Sequence, residues 1–143
     1  MTWNKNNSAG YLANHMARLF AAGLTRRISP LGIAPAQFMI LLELWDEDGL
    51  TQRDLVDRLD LEQATVANTL SRMERDGLIT RRASPNDGRA RIVELTQASK
   101  EMREEATQAA MAQNRAALSG LTVEEQAQLV GLMQRVIDGM RRG

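Results

Sequence analysis

The chain has 143 residues, enough for one domain with its own core or for a small domain flanked by long helices. Hydrophobic residues make up 43% and aromatic ones only 3%, which favours packed helices over a β-sandwich and argues against wholesale disorder. Eighteen Lys and Arg balance eighteen Asp and Glu, so a protein that coats nucleic acid indiscriminately is not expected. The absence of cysteine excludes disulfides, thiolate zinc sites and a cysteine redox sensor.

No apolar run is long enough to span a bilayer, and Met1 to Ser8 is polar without the apolar stretch of a signal peptide. A cytoplasmic location is therefore expected. Met1 to Asn7 reads as a loose tail. From Ser8 to Ile28, Leu12, Met16, Leu19, Phe20 and Leu24 recur at helical spacing and predict an amphipathic helix. Ser29-Pro30-Leu31-Gly32 interrupts it, because proline and the residue before it resist helix continuation.

Pro35 suits the first turn of a second helix carrying Phe38, Met39, Leu41, Leu42 and Trp45, which Asp46 to Gly49 ends. Thr51 caps a short third helix with Leu55, Val56 and Leu59 facing inward. A tight turn at Asp60-Leu61 leads to a fourth helix from about Gln63 to Asp76, closed by Gly77. Two strands follow, about Leu78 to Ala83 and Ala90 to Leu95. They flank Ser84-Pro85-Asn86-Asp87-Gly88, whose Asp-Gly pair is a strong hairpin signal. Thr96 caps a fifth helix to about Leu118, and Gly120 breaks it. Thr122 and Glu125 form a capping box for the last helix, on which Leu129, Leu132, Met133, Val136, Ile137 and Met140 fall on one side.

This order predicts a mainly α fold: a winged helix-turn-helix of about six helices and a two-stranded β-wing, with N- and C-terminal helices forming a dimerisation layer. Residues 1–30 are the N-terminal tail and dimerisation helix, 31–96 the DNA-binding winged helix-turn-helix, and 97–143 the C-terminal dimerisation helices. A small winged domain does not need the outer helices for its core. They can pair with a second copy, presenting two recognition helices to a palindromic site, or fold back within one chain.

Laid out at about 100° per residue, the fourth helix gathers Val66, Leu70 and Met73 on one side and Thr65, Asn68 and Arg72 on another. The second set suits base reading: Asn pairs bidentately with adenine, Arg with guanine, and a Thr methyl meets that of thymine. Gln63, in the first turn, can reach a base edge or a phosphate. From Gly77 to Arg91 four arginines (Arg81, Arg82, Arg89 and Arg91) stand against one acid, Asp87, so the basic patch is local. Arg81 and Arg82 point to opposite faces of their strand. Arg89, nearest the tip, is the candidate for a minor groove, whereas Arg91 and one of Arg81 or Arg82 contact phosphates or pair with acids. Asp87 is expected to shape the turn or hold an arginine.

The run Asp87-x-Arg89, then Val93-x-Leu95-Thr96, follows a helix ending Arg72-Met73-Glu74-Arg75-Asp76-Gly77-Leu78-Ile79. Together they resemble the MarR family of bacterial transcriptional regulators. Pro30-Leu31-Gly32-Ile33, Gln37-Phe38 and Leu41-x-x-Leu44 are similar to that family's second-helix region, and the likeness runs from about Ala9 to Met140. It implies a homodimeric repressor on a pseudo-palindromic operator, often beside its own gene. It places Thr65, Asn68, Thr69 and Arg72 where the family reads bases, and Arg89 where its wing meets the minor groove. Asn68 stands where many members carry a larger basic residue, so the operator sequence is not inherited.

Many members release DNA when a small, often aromatic, anionic compound binds between the dimer layer and the winged domain. Tyr11, His15 and Arg18 share one side of the first helix, and Arg18 beside His15 suits a carboxylate, with Phe38 and Trp45 as an apolar wall. The alternative is that His15 and Arg18 are solvated or paired with acids and that Trp45 is core. Peroxide sensing through cysteine, which some members use, is excluded here.

With one histidine, no cysteine, no phosphate-binding glycine loop and no metal-ligand cluster, no catalytic or metal site and no cofactor is expected. A winged helix that binds protein instead is the competing reading, because fold alone does not fix function. RNA is disfavoured, since its deep, narrow major groove excludes a helix.

Overall fold

Polar caps and turn residues set the element boundaries in the computed structural model, which describes residues 2–143. Ser8 accepts a hydrogen bond from the Tyr11 amide at 3.3 Å and starts α1 (Ala9–Ile28), and Pro35 opens α2 (Pro35–Asp46). A two-residue strand β1 (Leu50–Thr51) leads into α3 (Gln52–Leu59) and then α4 (Gln63–Arg75). The wing is β2 (Ile79–Ala83) and β3 (Arg91–Leu95), followed by α5 (Gln97–Glu101), α6 (Arg103–Ala117) and α7 (Val123–Arg142). Thr122 and Glu125 form the expected reciprocal cap on α7.

Two details go beyond the sequence reading. The wing belongs to a three-stranded antiparallel sheet in the order β1-β3-β2, with Leu50 opposite Val93 and Arg81 opposite Val93 on the other side. The helix expected from Thr96 to Leu118 is broken at Met102 into α5 and α6. There the Ser99 carbonyl accepts the Trp45 indole N–H at 3.0 Å and the Met102 amide at 3.2 Å, which interrupts the helical ladder.

The core lies where α1, α2, α4 and the sheet meet: Ile28, Phe38, Leu41, Leu44, Leu70, Met73, Ile79 and Val93 are all buried. Phe38 and Trp45 pack edge to face, with centroids 6.0 Å apart. The ends of the chain differ. No residue of α7 is buried within the single chain, and Leu132, Met133, Val136, Ile137 and Met140 are exposed, as are Leu12, Met16 and Leu19 on α1. α7 reaches back to the helix-turn-helix through Arg141, which pairs with Asp60 at 3.2 Å and donates to the Asp57 carbonyl at 3.0 Å. Among the described residues no single helix is long and apolar enough to cross a membrane.

Candidate nucleic-acid interface

Three local devices fix the pose of α4. Thr51 and Asp54 cap α3 reciprocally, at 3.1 Å and 3.0 Å. Asp60 makes the turn between α3 and α4 with φ +53°, a left-handed conformation that a short polar side chain tolerates. At the far end Gly77 takes φ +76°, and the Leu78 amide reaches the Met73 carbonyl at 2.9 Å, closing the helix in a Schellman motif. Gln37 of α2 then donates to the Asp76 carboxylate at 3.1 Å. That hydrogen bond first, and the neighbouring Arg75 guanidinium second, hold the Asp76 carboxyl below its ordinary range.

Val66, Leu70 and Met73 are wholly buried, so the opposite face of α4 is turned outward. Gln63, Thr65, Asn68 and Arg72 are exposed there, beside Ala64, Ser71 and Arg75. Thr69 is not with them. It is only 7% exposed and its hydroxyl donates to the Thr65 carbonyl at 2.8 Å, so its polar group is already satisfied and its side chain lies toward the packed face. Of the four positions that the resemblance places at the bases, Thr69 is thus the least exposed in the single chain. Gln63 is in turn tied to Gln52 of α3 at 3.4 Å.

The four wing arginines fall into two pairs. Arg81 meets Glu74 of α4 at 3.0 Å and Arg82 meets Glu94 of β3 at 2.6 Å, so both pair with acids. The Arg81 hydrogen bond holds the Glu74 carboxyl below its ordinary range. Arg89 and Arg91 form no ion pair among the described residues. They line a cleft of about 250 Å3 between the wing and the starts of α3 and α4, together with Gln52, Arg53 and Gln63. Gln52 and Arg53 escaped the sequence reading, although their place directly after the Thr51 cap was a usable signal. Asp87 shapes the turn as expected, its carboxylate accepting from the Arg89 amide and its carbonyl from the Ala90 amide, both at 3.0 Å. The outcome is a polar helix face flanked by Arg89 and Arg91, which form no ion pair among the described residues, an arrangement suited to base edges and phosphates.

The five residues expected around an effector do not converge. Tyr11 and His15 touch edge to face at 6.4 Å, and Arg18 donates to Asn14 on an exposed side of α1. Trp45 is buried in the core. Phe38 does line a cavity of about 510 Å3 between α1, α2 and α6, but α1 contributes Ala17, Phe20, Ala21 and Leu24 to it. At about 100° per residue Phe20 and Leu24 lie on the opposite side of the helix from Tyr11, His15 and Arg18, with Ala17 and Ala21 on its flank.

A sequence profile described as the MarR family matches residues 31–90. The regulator MgrA of Staphylococcus aureus is 36% identical over 101 residues, covering 71% of this chain and 67% of MgrA. An organic hydroperoxide resistance transcriptional regulator of Bacillus subtilis is 36% identical over 78 residues, 52% of this chain. The match spans only 53%, about half, of that relative's length. Among solved structures, a probable transcriptional regulator from Pseudomonas aeruginosa superposes with a TM-score of 0.86 at 30% identity, covering 93% of this chain and 99% of that one. PcaV from Streptomyces coelicolor, in complex with its natural ligand, gives 0.81 at 26% identity over 96% and 97% of the two chains. Reduced AbfR bound to DNA gives 0.76 at 25% identity over 94% and 93%. With a winged helix-turn-helix shared across nearly its whole length, the chain belongs to the MarR family of transcriptional regulators.

Proposed function

We propose that the protein is a homodimeric repressor that binds a pseudo-palindromic operator in duplex DNA and lets go when a small molecule binds. The observation that carries the reading is the outward face of α4. Thr65, Asn68 and Arg72 are exposed there because Val66, Leu70 and Met73 are not, and Arg89 and Arg91 flank that face with no ion pair of their own among the described residues. In this reading α4 enters the major groove, Gln63 and Arg91 hold the backbone, and Arg89 at the wing reaches the next minor groove. The DNA-bound state of AbfR supports it.

Residues 1–30 and 97–143 supply the dimer layer in this reading, through the apolar faces of α1 and α7 that a single chain leaves exposed. The effector enters the cavity between α1, α2 and α6, a reading that the ligand-bound state of PcaV supports. The protein acts in the cytoplasm, on DNA upstream of its own gene.

Fluorescence anisotropy tests the reading, with duplex from upstream of the gene against scrambled duplex across a salt series. The expected result is tighter binding of the upstream duplex, at two protomers per site, weakening as salt rises. Indifference between duplexes over a broad panel of sequences would refute it.

A further inference from the structure

The cavity between α1, α2 and α6 carries a statement about what it admits. Ala21 and Leu24 of α1, Phe38 and Leu42 of α2 and Ala110 of α6 form its walls. Gln113 and Asn114 are the only polar residues that line it, and no charged side chain does. At about 510 Å3 it is of the size that takes a drug-sized molecule. Met39 stands 38% exposed at its mouth.

Its polar end is anchored. The Gln113 side chain lies over Gly23 of α1, so close that a Cβ at that position would fall 2.2 Å from Nε2. Its Oε1 accepts from Arg27 Nε at 3.0 Å, which leaves the Nε2 hydrogens without a partner among the described residues. Arg27 does not itself line the cavity and is engaged with the side-chain carbonyl of Gln113. The lining offers the side-chain amides of Gln113 and Asn114, of which Gln113 is held in place by Arg27, and an apolar body.

We infer that the effector is an uncharged, largely apolar molecule whose carbonyl or ether oxygen accepts from Gln113, and not a carboxylate. This inference rests on the reading of the cavity as the effector site. A carboxylate against these apolar walls gives up part of its hydration and meets neutral amides in the lining, whereas a ketone gives up less and gains the hydrogen bond. Tyr11, His15 and Arg18 of α1 do not line this cavity.

Two fluorescent probes of one ring system separate the cases at neutral pH. One is the dye Prodan, an uncharged dimethylamino-naphthyl ketone. The other is the dimethylamino-naphthoate that carries a carboxylate in the ketone's place. Prodan is expected to saturate at one per protomer and to bind at least about tenfold tighter than the naphthoate. Ala21→Phe, which fills the cavity from α1, should remove Prodan binding.

Gly23→Ala should weaken Prodan about fivefold, since the new methyl displaces only the flexible end of Gln113 and alanine favours the helix. Gln113→Leu should match it, with circular dichroism confirming that each variant is folded. Naphthoate binding as tightly as Prodan, unchanged binding by Ala21→Phe, or no saturable Prodan binding up to its solubility would each overturn the inference. Prodan that occupies the cavity but leaves the operator complex intact would meet this inference and count against release by a ligand.

Discussion

Among the wing residues, whether an arginine is already paired decides what it can give to DNA. Arg81 and Arg82 must leave Glu74 and Glu94 before they meet a phosphate, although ion pairs near the surface hold their partners only weakly. Arg89 and Arg91 have no ion pair to break among the described residues. Arg89→Ala is therefore expected to weaken binding to all duplexes alike and to reduce the slope of log affinity against log salt by about 1. Asn68→Ala should instead relax preference at a single base pair, by about 1–3 kcal/mol of discrimination. A salt series and a panel of point-substituted duplexes distinguish them; a uniform loss for Asn68→Ala would remove it from base reading. The helical wheel made Thr65, Asn68 and Arg72 legible because they sit squarely opposite Val66 and Leu70. Thr69 lies at the border of the two faces, where angle alone does not decide and packing turned it inward.

At the scale of elements, caps and periodicity carried most of the information. Ser8, Thr51, Thr96 and Thr122 each start the helix expected of them, and the two wing strands lie within a residue or two of their expected bounds. What escaped depends on partners distant in sequence. Two residues cannot announce a strand, and β1 exists because Leu50 and Thr51 find the free edge of β3. The break at Met102 depends on Trp45, over fifty residues earlier, whose indole takes the Ser99 carbonyl. Trp45→Phe should thus do more than trim a core ring. Losing the buried N–H donor and part of the ring volume should cost about 1–3 kcal/mol. Urea denaturation should show this as a lowered midpoint with an unchanged m-value. An unaltered midpoint would mean that the Trp45 bond contributes nothing to stability.

At the scale of the whole molecule, the two ends of the chain ask for a partner. The wholly buried positions, from Ile28 to Ala106, centre on the winged domain, while α7, about 30 Å long, has no buried residue and only a few half-buried ones, such as Leu129. Its apolar positions and those of α1 form a contiguous demand for cover of the kind that marks an interaction surface. The sequence announced this stripe but left open whether it folded back or met a second copy, since periodicity specifies a face and not what lies against it. With formal net charge at zero, no long-range repulsion opposes association of two chains. Replacing Val136 and Ile137 together by Glu should therefore convert a dimer into a monomer, read by analytical ultracentrifugation at micromolar concentration. The winged domain should keep its fold, because neither residue contributes to the core. The monomer should also lose most of its affinity for a two-half-site duplex while keeping weak affinity for a single half-site. If the protein with its own α7 sediments as a monomer, the apolar faces of α1 and α7 are not a dimer layer, and two recognition helices cannot be delivered to one operator by this route.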